Sequence, residues 1–331
     1  MVAVSPYRSV DPLGREIEVP ASPADDATPA FTVDQADQLA AYFREHGYVV
    51  VRGVVPLEAC AHANSAFDAE VRGDGRAFYR LSGRPEPHRR TDEGFMLQGL
   101  RDVQSLDRRF HRAFRSAALG VVTAPDLGRI VAAVLGRPGT VVQTMYFEGN
   151  PATEPHQDTH YLDAEEVGTM VAAWIATEDI APGAGRFYVC PGTHRSDLPL
   201  NRAGFNVVEH EPAYRAAVRD AMVDREVRAP ALAAGDVLLW ASQTIHGSLP
   251  TSQPGRSRRS FTAHYIPQGA RFLQWHRRIV PLDLTQVQGV AVHHPKDLNR
   301  LRYRARYHAE QRFPDAMATA KRTVARYLFR R

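Results

Sequence analysis

The period of the apolar positions changes near residue 140. Upstream the pattern is helical. Thr32 is placed to cap a helix, with Gln35 three residues on as in a capping box, and Leu39, Tyr42 and Phe43 follow at helical spacing before Gly47 ends the run. Tyr48–Val51 then reads as a short strand closed by Arg52-Gly53. Pro56 opens a second helix with Leu57, Cys60, Ala63 and Phe67 on one face. Two more helical patterns cover 103–119 and 126–136, the latter stopped by Gly136-Arg137-Pro138. Between them and the second helix, residues 72–94 are polar and rich in Arg, Gly and Pro. A connection of that length predicts a binding loop or lid.

From Thr140 the signal is β. Thr140–Phe147, Val167–Thr177, Arg186–Val189, Val237–Trp240 and Ser260–Ile266 are short, rich in Val, Thr and aromatics, and punctuated by Gly and Pro. Such spacing predicts a sandwich or barrel. A helix interrupts at 211–224, and 298–331 looks helical and cationic. The fold class is therefore mixed α/β, with helices first, a β core second and a helical tail. The division expected is an irregular lead-in at 1–31, one domain at 32–267 and a basic, largely helical extension at 268–331 packing on the core.

Composition changes this picture little. The chain is 331 residues, 44% hydrophobic and 24% charged, as ordinary globular domains are. Cys60 and Cys190 cannot build a disulfide framework, which predicts a reducing compartment. No apolar run reaches the roughly 18 residues that a membrane helix needs, and the first 29 residues lack the apolar segment of a signal peptide. A cytoplasmic protein with no membrane partner is expected. Of the basic residues only Lys296 and Lys321 are lysines; residues 269–331 carry 14 basic and 4 acidic side chains, a net of +10, whereas residues 1–268 are net −6. The tail is thus expected to pack on the acidic body, within a monomer or across a homodimer, and not on nucleic acid, for which a basic body would be needed.

The candidate chemistry starts from Glu154-Pro155-His156-Gln157-Asp158-Thr159-His160-Tyr161. On a strand, His156 and Asp158 point to one face. His246 lies 88 residues beyond Asp158, just after the apolar run Val237–Trp240, and would complete a two-His-one-carboxylate triad. That ligand set leaves open positions on one side of the metal and belongs to non-haem Fe(II) oxygenases. From spacing alone, unrelated core or surface histidines are an equal reading. Arg258 shifts the balance. In a strand from 258, Arg258, Ser260, Thr262 and His264 share one face. An arginine on the inner face of a barrel is costly unless it meets an anion, and a carboxylate fits its fork.

Together these residues resemble the phytanoyl-CoA dioxygenase family of Fe(II)/2-oxoglutarate-dependent oxygenases over about residues 32–267. Pro155–Tyr161 is similar to the family's iron-binding segment, and Ala173-Trp174 with Pro191-Gly-Thr-His194 to its central region. His246-Gly-Ser248, Arg258, Thr262 and His264-Tyr265 are similar to its distal His and co-substrate region; Phe43–Gly53 is similar to its opening. The resemblance implies a double-stranded β-helix, a jelly-roll or cupin-like core flanked by N-terminal and C-terminal helices. It implies iron on His156, Asp158 and His246, and 2-oxoglutarate held by Arg258 with Ser248, Trp174, Met145, Gln143 and Gln98 nearby. Arg256 and Arg259 stay open as alternatives for the anchor. His160, Tyr161 and Arg186 are expected at the substrate side. O2 is the co-substrate, succinate and CO2 are products, and a small organic or secondary-metabolite substrate is hydroxylated. Desaturation, epoxidation or ring formation by the same oxygenase is an alternative, as is a cupin-type metal protein without oxygenase activity. The carboxylate at 158 argues against halogenation, which needs a small residue there.

Overall fold

Gly47 terminates the first helix as its position predicts. Helix α1 spans Ala36–His46, and Gly47 takes a left-handed φ of 77° while its N–H donates to the Phe43 carbonyl at 2.7 Å. The helix begins four residues after Thr32. Only the reverse half of the predicted capping box forms, with the Thr32 N–H donating to Gln35 Oε1 at 2.9 Å. The computed structural model describes residues 7–196, 198, 211–274, 278–317 and 319–320. Helix α2 (Leu57–Glu70) follows Pro56 and buries Cys60, Ala63, Ala66 and Phe67. The 103–119 pattern divides into a short 3-10 turn, Val103–Ser105, and α3 at Arg112–Val122; α4 is Pro125–Leu135. Helix α5 is Glu211–Met222 and α6 is Leu301–Arg312.

Helices α1 to α4 pack against a nine-stranded mixed sheet. Its strands in chain order are β1 (Ala30–Phe31), β2 (Tyr48–Val51), β3 (Leu100–Arg101), β4 (Gly139–Phe147), β5 (Val171–Ala176), β6 (Val237–Ala241), β7 (Ser260–Pro267), β8 (Leu284–Val287) and β9 (Val290–His293). The spatial order is β8-β9-β4-β7-β5-β6-β2-β1, with β3 also paired to β4. The pairings are antiparallel except β9 with β4 and β1 with β2.

The central strands are buried on both faces, which explains their nearly continuous apolar sequences. Val49, Val51, Val171, Ala173, Ile175, Val237, Leu239, Phe261, Ala263 and Tyr265 pack in one core with residues of α1 to α4. The alternate positions Tyr48, Val50, Ala172, Trp174, Leu238 and Trp240 form a separate cluster on the other face. A register shift between His264 and Tyr265 opposite Gln143 and Val141 changes the phase of β4. Two smaller sheets add to the large one: Phe187–Val189 pairs with His246–Ser248, and Leu162–Ala164, Phe272–Gln274 and Arg278–Val280 form a three-stranded sheet.

The two ends of the chain are more ordered than their composition predicts. The lead-in contains the hairpin Tyr7–Val10 with Glu16–Val19. The segment after 267 supplies β8 and β9 as well as α6, so it shares the main sheet. Tyr307 of α6 donates to the Ala77 carbonyl at 2.7 Å. The predicted tail helix beyond residue 320 lies outside the described residues. Among the described residues no single helix is long and apolar enough to cross a membrane.

Candidate metal centre

His156 is held by backbone, not by a regular strand. Its N–H and carbonyl exchange bonds of 3.1 and 3.0 Å with His246, an isolated antiparallel bridge. The chain is extended through Gln157 and then turns into a 3-10 turn at Asp158–His160. The predicted strand is thus one bridge long. That is enough to place both imidazoles beside the carboxylate: Asp158 Oδ1 lies 3.7 Å from His156 Nε2 and 3.6 Å from His246 Nε2. One ligand atom from each of the three residues lies within 4.8 Å of the other two.

The surroundings prepare these atoms as ligands. His156 Nδ1 lies 2.8 Å from the Glu154 carbonyl and His246 Nδ1 lies 2.9 Å from the Thr244 carbonyl. The protons are assigned to Nδ1 from these bonds, leaving each Nε2 lone pair toward the carboxylate. Burial pushes the His246 imidazole down to about 3, so it is neutral and ready to ligate. Burial alone would raise the Asp158 carboxyl, but His246, His264 and His156 outweigh it and hold it well below the usual range. Trp240 Nε1–H donates to Asp158 Oδ2 at 2.9 Å, and His264 Nε2 lies 3.3 Å from the same oxygen. Two imidazoles that present Nε2, one of them neutral by burial, and an ionised carboxylate whose Oδ1 lies toward both fit a facial divalent metal.

This group opens on a cavity of about 380 Å³, the size of a small-molecule site. Gln143, Met145, Trp174, Ser248, Thr262 and Arg258 line it. Arg258 is fully buried, and among the described residues its guanidinium donates to carbonyls, to Gly185 at 3.0 Å and Gly149 at 3.4 Å. With no carboxylate beside it, burial pushes its pKa down to about 9. Its two neighbours differ. Arg259 pairs with Asp68 at 2.7 Å and Glu148 at 3.2 Å, and Arg256 is exposed.

Three predicted site residues are corrected by the structure. Gln98 does not line the cavity; its carbonyl accepts from Arg80, and the strand that reaches the cavity is β3, where Arg101 pairs with Met145. Arg186 is buried elsewhere, donating to the carbonyls of Ile180 and Pro20 at 2.8 and 2.6 Å, so it ties the lead-in to the body. His160 is also off the cavity wall. It stacks on Tyr214 at 3.6 Å with rings parallel to 3° and lies 3.2 Å from Glu211 Oε2. Tyr161 does line the cavity, and its hydroxyl donates to Glu211 Oε1 at 3.2 Å. From the 72–94 loop the cavity receives Leu81 and none of the arginines.

The family model described as phytanoyl-CoA dioxygenase (PhyH) matches residues 43–260. The chain belongs to the phytanoyl-CoA dioxygenase family. A rat (Rattus norvegicus) family member, phytanoyl-CoA dioxygenase domain-containing protein 1, is 24% identical over 253 residues, covering 70% of this chain and 82% of that protein. Among solved structures, the non-heme alpha ketoglutarate dependent carbocyclase SnoK from nogalamycin biosynthesis aligns with a TM-score of 0.52 at 20% identity, covering 74% of this chain and 89% of its own. The epimerase SnoN of the same biosynthesis gives 0.54 at 17% identity over 73% and 86% of the two chains. EctD from S. alaskensis with bound Fe gives 0.50 at 16% over 84% and 89%. These likenesses establish a fold shared with these proteins.

Sequence reasoning missed Trp240, Glu211 and Arg101. Trp240 was hidden in an apolar run whose faces are told apart only by period-2 alternation from Val237. Glu211 and Arg101 are charged residues at element ends, and no spacing rule marks them.

Proposed function

We propose that the protein is an Fe(II)- and 2-oxoglutarate-dependent dioxygenase acting on a small organic molecule. The observation that carries this reading is Arg258: a fully buried guanidinium with no acidic partner among the described residues, in the same cavity as two imidazoles and an ionised carboxylate. Such a charge calls for an anionic ligand. A 2-oxo acid that chelates a metal at His156, Asp158 and His246 and extends a second carboxylate supplies one.

Iron bound there supplies oxygen activation coupled to oxidative decarboxylation of the co-substrate. The chain's own residues bind and orient. Asp158 and the two histidines would hold the metal, and the Trp240 indole N–H fixes Asp158 Oδ2, which leaves Oδ1 toward the two imidazoles. Arg258 receives the distal carboxylate of 2-oxoglutarate; Ser248, Trp174, Met145, Gln143 and Thr262 bound its space. The Ser248 hydroxyl is itself fixed by the Thr153 N–H at 2.7 Å. Tyr161, with Glu211 and Arg215, lines the remaining wall, where the substrate enters.

The large sheet, faced by the Phe187–Val189 and His246–Ser248 pair, is read as a jelly roll. Phe187 supports this by bridging to Trp240 at 4.7 Å and Trp174 at 6.0 Å across the cavity. Hydroxylation is the reading preferred, in a domain spanning 32–267 with its extension. Carbocyclisation and epimerisation by proteins of the same fold keep ring formation and related outcomes open to the same site. Succinate release from 2-oxoglutarate with Fe(II) tests the proposal. Arg258→Ala should raise the KM for 2-oxoglutarate by about tenfold or more, the effect of unpairing one buried ionic contact. Turnover of the wild type without 2-oxoglutarate, or an unchanged KM in Arg258→Ala, would contradict it.

A further inference from the structure

Helix α5 packs against the segment that carries two of the three candidate ligands. Its buried positions Tyr214, Val218 and Met222 recur at four-residue spacing, as one face of a helix does. They share a core cluster with Ile245, the residue before His246. Glu211 and Arg215, paired at 3.1 Å, line the metal cavity together with Tyr214.

Tyr214 touches the chain on both sides of Asp158. Before it, the Gln157 N–H donates to the Tyr214 hydroxyl at 2.8 Å, and that hydroxyl donates to the Gln157 carbonyl at 3.4 Å. After it, the His160 ring lies parallel to the tyrosine ring at 3.6 Å. Tyr214 and Gln157 are each only 1% exposed, so bulk water cannot replace the hydroxyl as the partner of that amide. A buried N–H left without a partner is costly. The Gln157 side chain reaches the other way and donates to the Gln243 carbonyl at 2.5 Å, three residues before His246. Asp158–His160 is a single 3-10 turn and not part of a strand. Its direction therefore depends on contacts of this kind.

We propose that Tyr214 is a positioning residue of the metal centre, and that α5 is the clamp that aims Asp158. The hydroxyl sets the backbone on one side of the carboxylate, and the ring seats the other side. The Trp240 N–H acts on the carboxylate itself, whereas Tyr214 acts on the main chain that carries it. Outer partners of this kind hold ligands in the geometry that a metal needs. The proposal rests on the reading of His156, Asp158 and His246 as ligands.

The test is anaerobic titration of the metal-free full chain with Fe(II), read together with amide hydrogen exchange at Gln157. Tyr214→Phe keeps the ring and removes the hydroxyl. It should weaken Fe(II) binding by about tenfold, as loss of an outer partner does, and the Gln157 amide should exchange faster than in the wild type. Tyr214→Leu removes ring and hydroxyl and should weaken binding further. His160→Ala removes the stacked ring and keeps the hydroxyl, so it should weaken binding while the Gln157 amide stays protected. Tyr307→Phe deletes a 2.7 Å hydroxyl bond to the Ala77 carbonyl elsewhere in the fold. It should leave both readings unchanged, which separates positioning from a general loss of stability. Failure of the wild type to bind Fe(II) would overturn the metal reading and this proposal with it. Wild-type binding that Tyr214→Phe or His160→Ala leaves unchanged would overturn this proposal alone.

Discussion

Arg258 and Arg259 are adjacent, yet their environments are opposite. Arg259 lies between Asp68 and Glu148, whereas Arg258, among the described residues, is enclosed with carbonyls. Extended backbone leading into β7 turns the two side chains to opposite sides; a strand read from 258 anticipated those faces but left Arg256 and Arg259 open as the anchor. Residue type and spacing singled out His156, Asp158 and His246, which the structure brings together, but left unrelated histidines an equal reading until Arg258 and the family resemblance were added. The partners of those residues were not legible, because a donor such as Trp240 is chosen by tertiary packing. Trp240→Phe deletes the N–H on Asp158 and leaves a smaller ring in the core. It should lower Fe(II) affinity by about 10–100-fold, the usual effect of losing a partner of a metal ligand, measured by anaerobic metal titration, and should lower the melting temperature through the cavity it leaves. Asp158→Ala removes a candidate ligand and should weaken Fe(II) binding, read in the same titration.

At the scale of elements, helix ends connect to the site. Gly47 closes α1 in a left-handed conformation, and a Cβ there would meet the His194 ring and come within 2.6 Å of Thr244 Oγ1. Its carbonyl accepts from Thr244 Oγ1 at 2.6 Å, and the Thr244 carbonyl in turn orients His246. Gly47→Ala should destabilise the fold by at least about 1–2 kcal/mol through backbone strain alone, read as a lower melting temperature, and should weaken metal binding besides. The long 72–94 loop, predicted as a binding loop or lid, brings Leu81 to the metal cavity and turns one of its arginines inward. Arg80 is buried and bonds to the Gln98 carbonyl and His88, which packs beneath it. Composition could not reveal this, because a solvated arginine and a buried one look alike in a polar stretch. Burial, with Arg80 next, pushes the His88 imidazole down to about 4. The unfolded chain binds that proton near pH 6.5, so the folded protein loses stability as pH falls from about 6.5 toward 4. Denaturant titrations across this window should show the loss, and His88→Gln should flatten it.

For the whole molecule, the order of helices, β core and tail was readable from the change of period, and the family from a handful of residues. The closure of the sheet was not. Strands β8 and β9 are short, and β9 joins β4 in parallel from the region read as a helical extension, with Val292 fully buried. Parallel pairing across 150 residues leaves no local signal. A chain ending at 267 exposes this edge of β4 and should be markedly less stable than the full chain, measured as a lower melting temperature or loss of soluble protein. The most direct measurement of the central claim is an anaerobic spectroscopic titration of the full chain with Fe(II) and 2-oxoglutarate. The wild type should develop the visible charge-transfer absorption of an Fe(II)–2-oxo acid chelate at one equivalent of iron. His246→Ala should not develop it, and Arg258→Ala should need far more 2-oxoglutarate. Absence of the band in the wild type, or an identical titration in the His246 variant, would contradict the account.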